Sequence, residues 1–333
     1  MTVTLQMLAA AGLVALPAGV LVAPFVFKWL QKAKSQQNVS AHLAEHQHKQ
    51  GTPTMGGLMI LIPLLVGMCV FVVPTEGLQG LAPLVLLLGF GLVGFLDDYV
   101  IPKRKPGSRG LDWKPKLGLE IASSIAAAFF MGTTNPLHIA IFVFFVLFFS
   151  NAFNFADGLD TLAGGIGILM ALGFFLLVAM DASWCKQVGA LVPVGWVMAL
   201  LFFSFWPFMF YNAPPARVFM GDVGALPIGA LFGWAFSTFL ISALAGSSTM
   251  TMPMVGGAAI ISILMLVELI PVPLQVASVK LRGKRMFPFK TPVHHAFQEK
   301  GWPETRIVWM FHLAQATLLF VGLSVAALLG GPK

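Results

Sequence analysis

Almost the whole chain is divided into apolar runs long enough to cross a lipid bilayer, and few folds accommodate that. A hydrocarbon core of about 30 Å takes roughly 20 residues as a helix, and a helix satisfies every backbone donor and acceptor where no water can. Ten such runs are predicted, at 5–30, 56–74, 80–98, 118–133, 137–153, 162–180, 187–208, 223–245, 250–273 and 308–330. The composition agrees: 58% of the 333 residues are hydrophobic, 10% are charged, and 30 are Phe. Mean hydropathy is +0.87, outside the range of soluble domains. The expectation is an all-α, polytopic membrane protein forming a single domain over residues 1–333. The first run lacks a basic leading segment and a small-residue cleavage site, so it reads as a retained helix and not a signal peptide.

The basic residues set the orientation. Of 20 Lys and Arg, four lie at 28–49, six at 103–116, one at 217 and seven at 280–306, leaving only Lys186 and Lys333 elsewhere. All the rich segments follow odd-numbered runs, which places them in the cytoplasm and both termini outside it. Polar loops of about 31–55, 99–117, 151–161, 209–222 and 274–307 then share the cytoplasmic face. The isoelectric point of 9.6 reflects this topology and anionic partners at the membrane surface, since no nucleic-acid motif appears. Cys69 and Cys185 have no metal-ligand or redox spacing and read as packing residues.

Thirteen acidic residues are few enough to sort individually. Glu76 and Asp181 fall in outer loops, and Glu45, Asp112, Glu299 and Glu304 in cytoplasmic ones, where solvated charge is the expected state. Asp97, Asp98, Asp157, Asp160 and Asp222 all fall where an apolar run meets the cytoplasm, with Glu120 and Glu268 inside runs. A carboxylate beside hydrocarbon is costly unless paired, hydrated or metal-bound. Asp160 alone can be read as the cap of the run at 162, but the adjacent Asp97 and Asp98 repel each other and call for a cation. Glycine-rich and amide-rich stretches surround these acids: "GTPTMGG" at 51–57, "NAFNFADGLDTLAGG" at 151–165, "FMGDVGAL" at 219–226 and "TPVHHAFQEKGW" at 291–302. Such donors suit magnesium with a phosphorylated substrate, because that ion takes few carboxylates and fills its sphere with water and phosphate oxygens. His42, His46 and His48 form a loose tract that reads as a solvated loop.

These stretches, in this order and spacing, resemble the phospho-N-acetylmuramoyl-pentapeptide transferases of the polyprenyl-phosphate N-acetylhexosamine-1-phosphate transferase superfamily. The likeness runs from about residue 30 to 307. It implies ten transmembrane helices, a homodimer, and transfer of phospho-N-acetylmuramoyl-pentapeptide from its uridine diphosphate carrier to undecaprenyl phosphate. The products are lipid I and UMP, formed with Mg2+ at the cytoplasmic face of the bacterial inner membrane. By the same resemblance Asp97 and Asp98 match the paired active-site aspartates, Asp222 the metal-binding aspartate, and His294 and His295 the first two histidines of a three-histidine motif, all five expected to be catalytic. Asn151, Asn154, Asp157 and Asp160 match the nucleotide-holding stretch, Phe219 a ring that stacks on uracil, and Lys116 a basic residue near the site.

A phosphate monoester has its second pKa at about 6 and is mostly dianionic at neutral pH. The chemistry therefore needs charge neutralisation more than a strong base. This assigns Asp222 and Asp98 to the metal and Asp97 to the acceptor phosphate. A two-step route through a phospho-aspartate uses the same residues. The chain departs from the family pattern at Ile101, Thr161, Ala296 and Gln298, with Lys103 or Arg104 as candidate substitutes for the charge missing at 101. Two other readings stay open: a relative using another UDP-amino sugar, and a secondary transporter or lipid flippase.

Overall fold

The computed structural model describes residues 2–33, 51–105, 110–181, 191–246 and 251–330. Glu45, His42, His46, His48, Cys185 and Lys186 lie outside the described residues. Everything regular among the described residues is helical.

The chain begins with α1 (Thr2–Ala33), α2 (Leu58–Phe71) and the short α3 (Val73–Glu76). Next come α4 (Leu81–Phe95), which runs through a π-helical turn (Leu96–Val100) into α5 (Ile101–Arg104), then α6 (Trp113–Phe130) and α7 (Pro136–Ala156). The third group is α8 (Leu162–Ala179), α9 (Val192–Asn212) and α10 (Asp222–Leu244). The last is α11 (Thr251–Ile261), α12 (Ile263–Leu269), α13 (Pro271–Arg282), α14 (Val293–Glu299) and α15 (Glu304–Leu329).

Nine helices among the described residues are long and apolar enough to cross a membrane. The run expected at 118–133 is helical as α6, but Lys114, Lys116, Glu120, Ser123 and Ser124 lower its hydropathy, and it is not among the nine. The run expected at 250–273 is broken. Ser262 leaves helical geometry (φ −91°, ψ 4°) between α11 and α12, and helix resumes beyond Pro271 to end at Gly283, past the expected boundary. Residues 274–282, expected as loop, are therefore the rest of α13.

The core is organised around α10, which is almost entirely buried and packs most extensively on α7 and then α4. Small residues permit this. Gly229 and Gly233 lie directly against the α7 backbone at Phe149–Ser150 and Phe145–Val146, where any side chain would collide. Small residues four apart let two membrane helices approach to backbone contact, and Ser150 Oγ closes the gap by donating to the Leu226 carbonyl at 3.0 Å. Other glycines bring further helix ends to the start of α10: Gly57 touches Gly224, and a Cβ on Gly94 would fall on the backbone of Asp222. The motif glycines at 56 and 57 are thus packing residues that also donate to the Phe219 and Met220 carbonyls, at 2.7 and 2.9 Å.

Three expectations for single residues also change. Cys69 is exposed on α2 and not packed in the core. Asp181 is 1% exposed, so it is not a solvated loop charge. Glu304 accepts the backbone N–H of Asp160 at 2.8 Å and is likewise not a free surface carboxylate.

Candidate active site

The ends of α4, α6, α7 and α10 converge with the 51–57 segment at one end of the bundle. Asp97 and Asp98 sit in the π-helical turn, closed by a bond from Ile101 N–H to the Leu96 carbonyl. A π turn holds more residues than an α turn, so two consecutive side chains diverge less around the axis, and such turns recur at functional sites. One carboxylate oxygen from each of Asp97, Asp98 and Asp222 lies within 4.8 Å of the others.

Each carboxylate is held separately. Asp97 Oδ1 accepts Leu111 N–H at 2.7 Å, and Asp98 Oδ2 accepts Val223 N–H at 3.0 Å at the start of α10. Asp222 Oδ1 accepts Asn154 Nδ2 at 2.7 Å, while its Oδ2 is hydrogen-bonded by Lys116 Nζ. The same ammonium is 3.7 Å from Asp97 Oδ2. Lys116 is therefore the cation of the cluster. Lys103 instead donates to the Tyr99 hydroxyl at 3.1 Å from an exposed position, so it does not replace the charge missing at Ile101.

Glycines leave room for these carboxylates. A Cβ on Gly110 would lie 2.7–2.8 Å from the Asp97 carboxyl, and one on Gly221 would lie 2.5 Å from both Asp98 Oδ2 and Thr54 Oγ1. Thr54, 5% exposed, lies in the 51–57 stretch expected near the acids, though not itself among the expected site residues.

The remaining predicted residues lie around this centre without all meeting. Asn151, one turn before Asn154 on α7, donates to Glu120 Oε2 at 3.3 Å and to the Leu147 carbonyl. Asp157 follows the last residue of α7, with its N–H on the Asn154 carbonyl. Asp160 is 5% exposed, and its Oδ2 accepts Ala216 N–H at 2.9 Å, tying the 157–161 segment to the loop before Phe219. It is not the helix cap, a place taken by Thr161 in a left-handed conformation (φ 65°). Asn212 completes the tie, accepting Thr161 N–H and donating to the Val218 carbonyl. The available signal for Asn212 was a lone amide ending an apolar run. Phe219, half-buried, bonds through its N–H to the Pro53 carbonyl at 2.9 Å.

The two histidines differ. His294 is 0% exposed and pairs with Glu268, whereas His295 is half-buried and bonds through Nδ1 to Gln298 Oε1 at 2.6 Å. Gln298, one of the positions that depart from the family pattern, thus keeps His295 oriented. His295 lines a cavity of about 320 Å³ with Gln275, Arg285, Lys290 and Thr291. A second cavity of about 550 Å³ lies beside Asp160, Glu304, Trp309 and His312.

A family model described as glycosyl transferase family 4 matches residues 80–241, and a phospho-N-acetylmuramoyl-pentapeptide-transferase signature matches residues 49–61. Three similar proteins carry the name phospho-N-acetylmuramoyl-pentapeptide-transferase. That of Heliobacterium modesticaldum is 34% identical, covering 97% of this chain and 98% of the relative. That of Clostridioides difficile is 32% identical over 91% and 93%, and that of Acetivibrio thermocellus 35% over 83% and 82%.

Proposed function

Since the chain belongs to the phospho-N-acetylmuramoyl-pentapeptide-transferase family, we propose that it transfers phospho-N-acetylmuramoyl-pentapeptide from UDP-N-acetylmuramoyl-pentapeptide to undecaprenyl phosphate, yielding lipid I and releasing UMP, for peptidoglycan. The observation that carries this reading is the convergence of Asp97, Asp98 and Asp222 around Lys116 at one end of a membrane bundle. Exposed Lys103, Arg104, Lys105 and Lys114 lie near that end, which supports its placement at the cytoplasmic face of the bacterial inner membrane.

The donor set fits magnesium. All three groups are hard oxygen donors, and with all three ionised one ammonium leaves the cluster two charges short of neutral, the charge of a divalent cation. Asp222 and Asp98 would hold Mg2+, which supplies neutralisation of the approaching phosphates and of the charge leaving on UMP. Asp97 orients the acceptor phosphate, already mostly dianionic, for attack on the donor's sugar-linked phosphorus. Lys116 offsets negative charge between the two anions, and Asn154 keeps Asp222 turned toward the centre. Phe219, Asn151, Asp157 and Asp160 form or support the nucleotide side, and His295 with Arg285 and Lys290 offers positive charge to anionic donor groups.

The direct test is UMP release by the purified protein given undecaprenyl phosphate and UDP-N-acetylmuramoyl-pentapeptide, beside the same assay with other UDP-amino sugars. Release with the muramoyl donor is expected. Release only with another donor would reassign the substrate, and release with none would refute the reading.

A further inference from the structure

Glu268 and His294 form a buried pair whose arrangement the reading above leaves unexplained. Both side chains are 0% exposed. The carboxylate meets one residue twice: Oε1 accepts the His294 backbone N–H at 3.2 Å, and Oε2 lies 2.8 Å from its Nδ1, the distance of a hydrogen bond that a proton on Nδ1 would make. It thereby fastens α14 to α12, which itself packs on α7. A carboxylate this deeply buried is costly to leave unpaired, so both bonds are strongly enforced.

The other ring nitrogen is the informative one. Among the described residues, His294 Nε2 is buried without a hydrogen-bond partner. It lies against Gly158, where an added Cβ would collide with it and would sit 2.9 Å from Cε1. The same ring packs on His295, with centroids 4.2 Å apart at 53°. His294 is therefore wedged between the 157–160 segment and the histidine that faces the Arg285–Lys290 cavity.

We propose that Glu268 is a positioning residue: by accepting both His294 donors it fixes the Nδ1–H tautomer and the ring's place, and so sets the 157–160 segment and His295 at the same time. This rests on the reading of those two elements as donor-binding. The two bonds end on different oxygens of Glu268. A glutamine has an acceptor at only one of those two places, so keeping its oxygen on the backbone N–H would turn its amide NH2 toward Nδ1 and move the ring proton to Nε2.

The experiment is nitrogen NMR of histidine-labelled protein in detergent, with the His294 signals identified by their loss in His294→Gln, alongside kinetics. The wild type should show Nδ1 protonated, and Glu268→Gln should move the proton to Nε2. Glu268→Gln should also raise the donor KM at least tenfold while leaving the undecaprenyl phosphate KM within twofold. The double variant should be no worse than His294→Gln alone, because residues acting through one another are not additive. An unmoved tautomer, additive losses, or a lowered melting temperature with unchanged KM and kcat would overturn the proposal. If Glu268→Gln does not fold, a wild-type His294 lacking the Nδ1 proton overturns it, and an Nδ1–H supports it. Absence of UMP release by wild type would count against the transferase reading alone, since the tautomer is measured independently of turnover.

Discussion

Gly221→Ala is the sharpest test of the carboxylate cluster, because its effect follows from one atom. Gly221 has φ 72° and ψ 171° immediately before α10. Side chains all but never adopt this conformation, and holding one there costs about 1–3 kcal/mol. The new Cβ would also lie 2.5 Å from Asp98 Oδ2, which must retreat by about 0.9 Å to reach the 3.4 Å of ordinary contact. That oxygen is the one bonded to Val223 N–H, and loss of a hydrogen bond to a charged group costs about 1.5–3 kcal/mol. A misplacement of about 1 Å in a reacting centre lowers rates about a hundredfold, equivalent to about 2.7 kcal/mol of barrier. Gly246→Ala is the control. Gly246 also has a left-handed φ, 66°, but an added Cβ meets nothing within 4 Å, and it lies beyond the other end of α10, roughly 34 Å away. UMP release should fall about a hundredfold in Gly221→Ala and stay within threefold in Gly246→Ala, with both proteins monodisperse. Near wild-type turnover in Gly221→Ala would mean that Asp98 is not part of the reacting centre.

Asp222→Asn keeps the shape of the side chain but removes charge from the cluster, so turnover should fall at least about a hundredfold. The exposed Asp112, changed to Asn, should cost little, and a magnesium titration of UMP release separates the two. Lys116→Gln should lower kcat at least about tenfold, since one charge-assisted contact is lost. Lys103→Gln, at a side chain that bonds to Tyr99 and not to the carboxylates among the described residues, should remain within twofold, and equal losses in the two variants would remove Lys116 from the site. Protease added outside sealed cells should leave the 280–306 segment intact, and cleavage there would reverse the orientation of the active end.

The helical class, the approximate limits of most spans and the acids with a cost to explain were legible in the order of residues alone. These follow from local rules: a backbone in hydrocarbon must bond to itself, and a charge at its edge needs a reason. Asp97, Asp98 and Asp222 were legible on those grounds, although 124 residues separate Asp98 from Asp222 in the numbering of the chain. Tertiary structure decided which polar groups meet. It brought Lys116, and not the nearer Lys103, onto Asp222 and Asp97, through the π turn and the convergence of α6 with α4. It turned Asp160 and Glu304 into ties between loops, and it buried His294 on Glu268. None of these partners follows from hydropathy, because apolar runs are nearly interchangeable in lipid. Their pairing is set by where small residues such as Gly229, Gly233, Gly57 and Gly94 let one backbone reach another, and that fit exists only once the helices are packed.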